Sequence, residues 1–154
     1  MAVKPIPDNY PRVTPYLAID GAAAAIDFYK KAFGATERMR MPGPEGGIGH
    51  AEIAIEGGLI MLADEYPPMN FRSPKTIGGS PVMIHMYVSD VDAFFKRAKD
   101  AGTEVLREPT TQFYGDRQCS IRDPFGHVWS FATHVEDVSE EELRKRSEKL
   151  AGGG

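Results

Sequence analysis

The chain has 154 residues, 42% apolar and 26% charged, the balance of an ordinary globular protein. Its net charge of −4 leaves no basic footprint for nucleic acid, and its single cysteine, Cys119, excludes an intramolecular disulfide. No run of about 18 apolar residues offers a membrane span, and "MAVKPIPDNYPR" has no apolar stretch of a targeting segment, so the expected location is cytoplasmic.

In chain order, "VTPYLAI" (Val13–Ile19) alternates as a strand and "DGAAAAIDFYKKAFGA" follows as a helix. Asp20 is its candidate cap; Ile26, Tyr29, Lys30 and Phe33 sit at helical spacing; Gly34 is its stop. The basic pair Lys30-Lys31 reads as a solvated helix face. Strands are expected at Thr36–Met41, Ile48–Ile55 and Leu59–Asp64, the last two joined by a turn at Gly57-Gly58. The connector Asp64–Pro81 is long and rich in proline and glycine. Beyond it the pattern starts again. A strand at Val82–Val88 leads to "SDVDAFFKRAKDAGT", with Ser89 and Asp92 as a capping box and Gly102 as the stop. Strands at Thr103–Arg107, Asp116–Arg122 and His127–Thr133 complete it, and Asp123-Pro124-Phe125-Gly126 suits a type I turn. "FYKKA" and "FFKRA" echo each other, so the chain reads as βαβββ written twice. The tail caps at Ser139 and forms a solvated helix that frays over Ala151–Gly154.

Period-two alternation assigns faces to the strands. Val13, Pro15, Leu17 and Ile19 oppose Thr14, Tyr16 and Ala18; Val82, Ile84, Met86 and Val88 oppose Met83, His85 and Tyr87. One face of each sheet is apolar enough to sit under a helix. The other collects Tyr16, His50, Glu52, His85, Gln118 and Ser130. Its mixture of aromatics, histidine, methionine and small residues suits a ligand cavity better than a solvated surface, which would be rich in Lys and Glu. His127 and Trp129 share parity with Phe131 and are expected to pack under a helix, and His134 reads as structural.

Paired βαβββ modules with "DFYKKAFGA" after the first strand and "DPFGHVW" before the last resemble the vicinal oxygen chelate superfamily of glyoxalase I, extradiol dioxygenases and bleomycin-resistance proteins. "GHAEIAIEGGLIMLADE", "HMYVSDVDAFFKRAKDAGTEV" and "FYGDR" resemble its PhnB-like group. The resemblance implies an α+β fold, two modules of paired mixed sheets around a cavity, plus a C-terminal helix. It places a glyoxalase-like domain over 8–135, with modules at about 12–65 and 81–135, and the helix and tail over 136–154. It also implies a homodimer. The superfamily's metal enzymes take one ligand from the first and last strand of each module. On this chain those positions fall at Thr14, Leu62, Met83 and Ser130, none of which offers an imidazole or carboxylate. The expectation is therefore no metal cofactor.

Three readings of the remaining chemistry stand side by side. His50, Glu52 and His85, with Tyr16, Met83, Gln118 and Ser130, could bind a small molecule without turnover, sequestering a toxic metabolite or antibiotic. Glu52 and a histidine could instead serve as an acid–base pair in a lyase, isomerase or dioxygenase. They could also hold a relocated metal. Against all three, His50 could simply anchor the Gly46–Gly49 loop. Tyr66, Met69 and Phe71 read either as a lid or as apolar anchors of the connector, and Arg117 either meets an anion or pairs with Asp116. The expected partner is a small molecule.

Overall fold

The computed structural model describes residues 2–153. The chain forms two compact units. One runs to Pro81 and includes Phe125–His127; the other holds Val82–Pro124 and the chain from Val128 onward. In the first, β1 (Tyr16–Ile19), α1 (Ala22–Phe33), β2 (Thr36–Pro42), β3 (Ile48–Ile55) and β4 (Gly58–Asp64) form a four-stranded mixed sheet of order β1-β4-β3-β2 with its helix. A 3-10 turn (Pro67–Met69) and α2 (Pro74–Ile77) fill the connector. In the second, β5 (Met83–Tyr87), α3 (Val91–Asp100), β6 (Glu104–Thr111), β7 (Asp116–Arg122) and β8 (Val128–His134) repeat the arrangement in the order β5-β8-β7-β6. In both, the first strand lies parallel to the last and the other pairs are antiparallel. α4 (Glu140–Ala151) ends the chain's described elements. The fold is α+β, as the doubled pattern predicts.

The first core is the apolar side of its sheet under α1. Leu17, Ile19, Ala51, Ile53, Ile55 and Leu62 meet Ala22, Ala25, Ile26 and Tyr29, all buried. Tyr29 stacks on Phe33 at 5.5 Å, and Phe125 adds an edge contact to Phe28. The second core is built likewise from Ile84, Cys119, Ile121, Trp129 and Phe131 under Val91, Phe95 and Ala98. Burial pushes the Cys119 thiol up to about 11, so it is a packing residue rather than a nucleophile. Trp129 is buried with its indole N–H donating to Asp123 (2.9 Å), and the buried His127 ring bonds the carbonyl of Ala18 (3.0 Å).

The helix ends correct the sequence reading. Asp20 does not cap α1: Gly21 precedes it in a left-handed conformation (φ 92°), and the Ala22 amide donates to Asp64 Oδ1 at 2.7 Å, from the far end of β4. Gly34 ends α1 as expected (φ 66°). On α3 the cap is Asp90, which accepts from the Ala93 amide, rather than the Ser89/Asp92 pair. Ser139 caps α4 by accepting from the Glu142 amide. α4 buries no residue, and Gly154 of the expected fraying segment lies outside the described residues.

Strand limits shift for local reasons. The β3–β4 turn is Glu56-Gly57, one residue earlier than expected, because both adopt positive φ (48° and 81°) and Ile55 pairs with Gly58. Val13 and Val82 precede their strands and are exposed; Pro15 lies between Val13 and β1 and Pro81 directly precedes Val82, and neither proline can donate to a ladder. β6 runs four residues beyond the expected Arg107, through register shifts between Val105 and Thr110. Among the described residues, no helix is long and apolar enough to cross a membrane.

Candidate functional site

The side of the first sheet away from α1 carries Tyr16, His50 and Glu52. Alternation puts His50 and Glu52 on one side of β3, while Tyr16 and Glu52 share a cross-strand row through Met61. The Tyr16 hydroxyl lies 2.6 Å from His50 Nδ1, and His50 Nε2 lies 3.7 Å from Glu52 Oε1. With the phenol donating to Nδ1, the imidazole turns its Nε2–H toward the carboxylate. Tyr10, from the segment preceding β1, donates to Glu52 Oε1 at 2.6 Å, and the Arg38 guanidinium sits over the Tyr10 ring at 5.4 Å. Glu52 is only 1% exposed, and its Oε2 has no hydrogen-bond partner. Both phenols are held above their ordinary pKa, Tyr10 chiefly by its bond to Glu52 and Tyr16 chiefly by desolvation, so both remain donors at neutral pH.

Beside this row the first unit has a cavity of about 840 Å3. Its walls are Tyr16, Tyr66, Met69 and Phe71, the Gly43–Gly49 segment that leaves β2 and opens β3, and the chain around Asp64. Tyr66 and Phe71 exchange backbone hydrogen bonds (2.7 and 3.2 Å), which fixes both rings on one bridge. Phe71 meets Tyr16 edge-on at 5.6 Å. Tyr66, Met69 and Phe71, read from the sequence as a lid or as anchors of the connector, all line the cavity.

Asp64 holds this region together. Besides its bond to α1, its Oδ2 accepts from the Ile48 amide at 2.7 Å. A Cβ at Gly47, which has φ 65°, would strike the same carboxylate oxygen. The glycine-rich segment is thus anchored by Asp64. This corrects the reading of His50 as its anchor, since the His50 ring bonds Tyr16 instead.

In the second unit, His85 and Ser130 are direct cross-strand neighbours, with Nδ1 and Oγ 3.0 Å apart. Ser130 also accepts from Gln118 Nε2 (2.8 Å), whose Oε1 accepts from Tyr114 (2.5 Å). Met83 is 53% exposed. Buried Asp116 accepts from Tyr87 (2.7 Å) and faces His134 Nδ1 (2.7 Å), and His134 Nε2 faces Asp137 (2.8 Å). Arg117 pairs with Asp92 through two bonds of 2.8 and 2.9 Å, and neither of its expected roles is the one observed. The acidic first turn of α3 supplies that partner.

The structure therefore assembles Tyr16, His50 and Glu52 in one unit, and His85, Gln118 and Ser130 in the other. Register also corrects one expected metal-ligand position. Ser130 neighbours His85 and Ser120; in the same places of the first repeat, Met61 neighbours Tyr16 and Glu52. Met61, rather than Leu62, is the counterpart of Ser130, and Leu62 is fully buried on the helix side. Among the described residues, no group of three or more His, Cys, Asp or Glu side chains is arranged to hold a metal. Sequence reasoning missed Tyr10 and Asp64. Tyr10 carried no signal, whereas Asp64 could have been found as the residue aligned with Thr133 in the repeat.

A sequence model of the glyoxalase/bleomycin resistance protein/dioxygenase superfamily matches residues 12–131, and the chain belongs to that superfamily. Among its relatives, Mb0911c of Mycobacterium bovis is 45% identical over 137 residues, 87% of this chain and 90% of that one. The structure is similar to TioX from Micromonospora sp. ML1, with a TM-score of 0.66 and 28% identity over 82% of this chain and 100% of TioX. It has the same fold as TnmS3, an antibiotic binding protein from Streptomyces sp. CB03234, with a TM-score of 0.61 and 23% identity over 79% and 93%.

Proposed function

We propose that this protein binds a small organic molecule in the cavity of its first unit, and sequesters it. The observation that carries the reading is the cavity itself. Its volume of about 840 Å3 is that of a drug-sized ligand site, and its aromatic walls are fixed before any ligand arrives. TnmS3, as an antibiotic binding protein of the same fold, supports the same class of role. The superfamily's metal does not fit the residues present, because Thr14, Met61, Met83 and Ser130 supply hydroxyl and thioether groups to an ion that needs imidazole or carboxylate. Native mass spectrometry of the protein drawn gently from its own cells tests the reading. A small organic adduct that disappears in Phe71→Ala is expected. Elemental analysis showing about one tightly held ion per chain instead would overturn it. A homodimer is the expected assembly, and light scattering at the monomer mass would refute it.

One contact favours a second reading. His50 Nε2 and Glu52 Oε1 are 3.7 Å apart, and His50, the more exposed member of the pair, could exchange a proton with a bound substrate against the buried Glu52 carboxylate. In that case Glu52→Gln abolishes turnover while leaving affinity intact.

A further inference from the structure

The cavity wall carries three carboxylates, Glu45, Asp64 and Glu65, and its lining contains no lysine, arginine or histidine. None of the three is neutralised by an ion pair among the described residues. Asp64 accepts only from backbone amides. Glu65 accepts from the Ser73 amide (3.0 Å) and the Thr76 hydroxyl (2.8 and 2.7 Å). Those bonds hold Glu65 below the ordinary carboxylate range, so it is charged at neutral pH. Neutral donors fix the two carboxylates in place, and the one cation acting on Glu65, Arg72, does so through its field and not through an ion pair.

The aromatic walls add to this field. The Tyr16 hydroxyl is engaged by His50, which orients the ring, and Tyr16, Tyr66 and Phe71 all line the cavity. Aromatic faces attract cations through their quadrupole, and most strongly where water is partly excluded. A negative field in a concave, low-dielectric wall concentrates positive ligands and repels negative ones.

We propose that the cavity selects organic cations, molecules with a flat apolar body and a fixed positive charge, over neutral and anionic molecules of the same shape. This inference rests on the small-molecule reading above and names its ligand class.

Three tricyclic probes of one size separate the charge from the body: N-methylacridinium (cation), acridine (neutral at pH 8) and 9-anthroate (anion). Each is titrated by fluorescence against the full chain at pH 8. The cation is expected to bind about tenfold more tightly than acridine, the scale of a cation over aromatic faces in a partly desolvated site. Binding of 9-anthroate should be undetectable. Raising the salt concentration should narrow the preference. Glu45 is exposed and outside any named strand or helix, so Glu45→Gln should fold; it should weaken the cation about threefold more than it weakens acridine, as loss of one solvated charge predicts. Equal affinity for cation and acridine, both lost in Phe71→Ala, would overturn the charge preference while leaving the binding reading in place. Tighter binding of 9-anthroate would overturn it too. No saturable binding of any probe would sink both.

Discussion

The two repeats share every strand and its order, yet their polar rows are finished differently. In the second, each group is answered: Tyr114 donates to Gln118, Gln118 donates to Ser130, and Ser130 meets His85. In the first, the positions of His85, Ser130 and Ser120 hold Tyr16, Met61 and Glu52, and the row ends on a buried carboxylate oxygen with no partner. The helix anchors differ as well. The final strand of each repeat reaches the start of its helix, through Asp64 to the Ala22 amide in one and Thr133 to the Val91 amide in the other (2.7 and 2.8 Å). Asp64 also ties Ile48 down beside the cavity, whereas Thr133 gives its second bond to the Val88 carbonyl (2.8 Å). A satisfied row is the mark of a structural sheet. An unsatisfied row beside an open cavity fits the binding role proposed for the first unit.

The anchors offer the largest test. Asp64→Ala removes two charge-assisted bonds and should lower the unfolding free energy by about 2–3 kcal/mol. Thr133→Val removes two neutral bonds, one from the Val91 amide and one to the Val88 carbonyl, and should cost about 1–2 kcal/mol. Urea denaturation measures both. Equal losses would mean that the two anchors are equivalent and that the loop draws nothing from Asp64.

The polar rows should respond with opposite signs. An unpartnered buried carboxylate oxygen carries a desolvation cost, so Glu52→Leu should raise stability by about 1 kcal/mol even though Tyr10 loses its acceptor. Ser130→Ala strands Gln118 and His85 and should lower stability by about 1 kcal/mol. A stability loss in Glu52→Leu would identify Glu52 as a structural residue and remove the contrast.

Much of this architecture is legible in the sequence, because the repeat is carried by local signals. Alternation assigns Tyr16, His50 and Glu52 to one side, and Gly34 stops α1 where expected. The side-chain partners are less legible, since they join residues far apart in the chain. Tyr10 and Glu52 are 42 positions apart, as are Asp64 and Ala22, and no local pattern encodes such a pairing. The Asp20 cap fails for this reason, since a distant carboxylate takes its role, whereas the Ser89 cap fails locally, by one position, to Asp90. Leu62 is misplaced by a single residue of register, which in a strand reverses the face.

The smallest effect separates the repeats by pH. The residue after each anchor is Glu65 in one and His134 in the other, and each fastens a following segment. His134 reaches Asp116 and Asp137 through its two ring nitrogens, and only the imidazolium donates from both. The bond to Asp116, then that to Asp137, raises its pKa above the ordinary 6.5. The folded state therefore holds this proton more tightly than the unfolded state. Its contribution is complete below pH 6.5 and fades as pH rises through the folded value. Asp116 sets the lower limit of that fastening. Burial works to raise its pKa, but the bonds from Tyr87 and His134 outweigh it and the net shift is below 3.8, so its share persists until pH falls through the folded value. The field of His85 acts in the same direction. Glu65 behaves in the opposite sense to His134: the bonds from Ser73 and Thr76 lower it from 4.5, so its contribution is present above that pH and lost only on acidification. Hydrogen exchange, corrected for the intrinsic rate, should show this unit by unit. Above pH 6.5 the Val135 and Glu136 amides, which bond the Gly115 carbonyl, should lose protection while the Ser73 amide keeps it. In strong acid the Ser73 amide should loosen in its turn. His134→Gln should erase the upper transition and leave the lower one in place. A wild-type protein whose Val135 and Glu136 protection is flat from pH 6 to 9 would show that the double aspartate clasp does not form in solution.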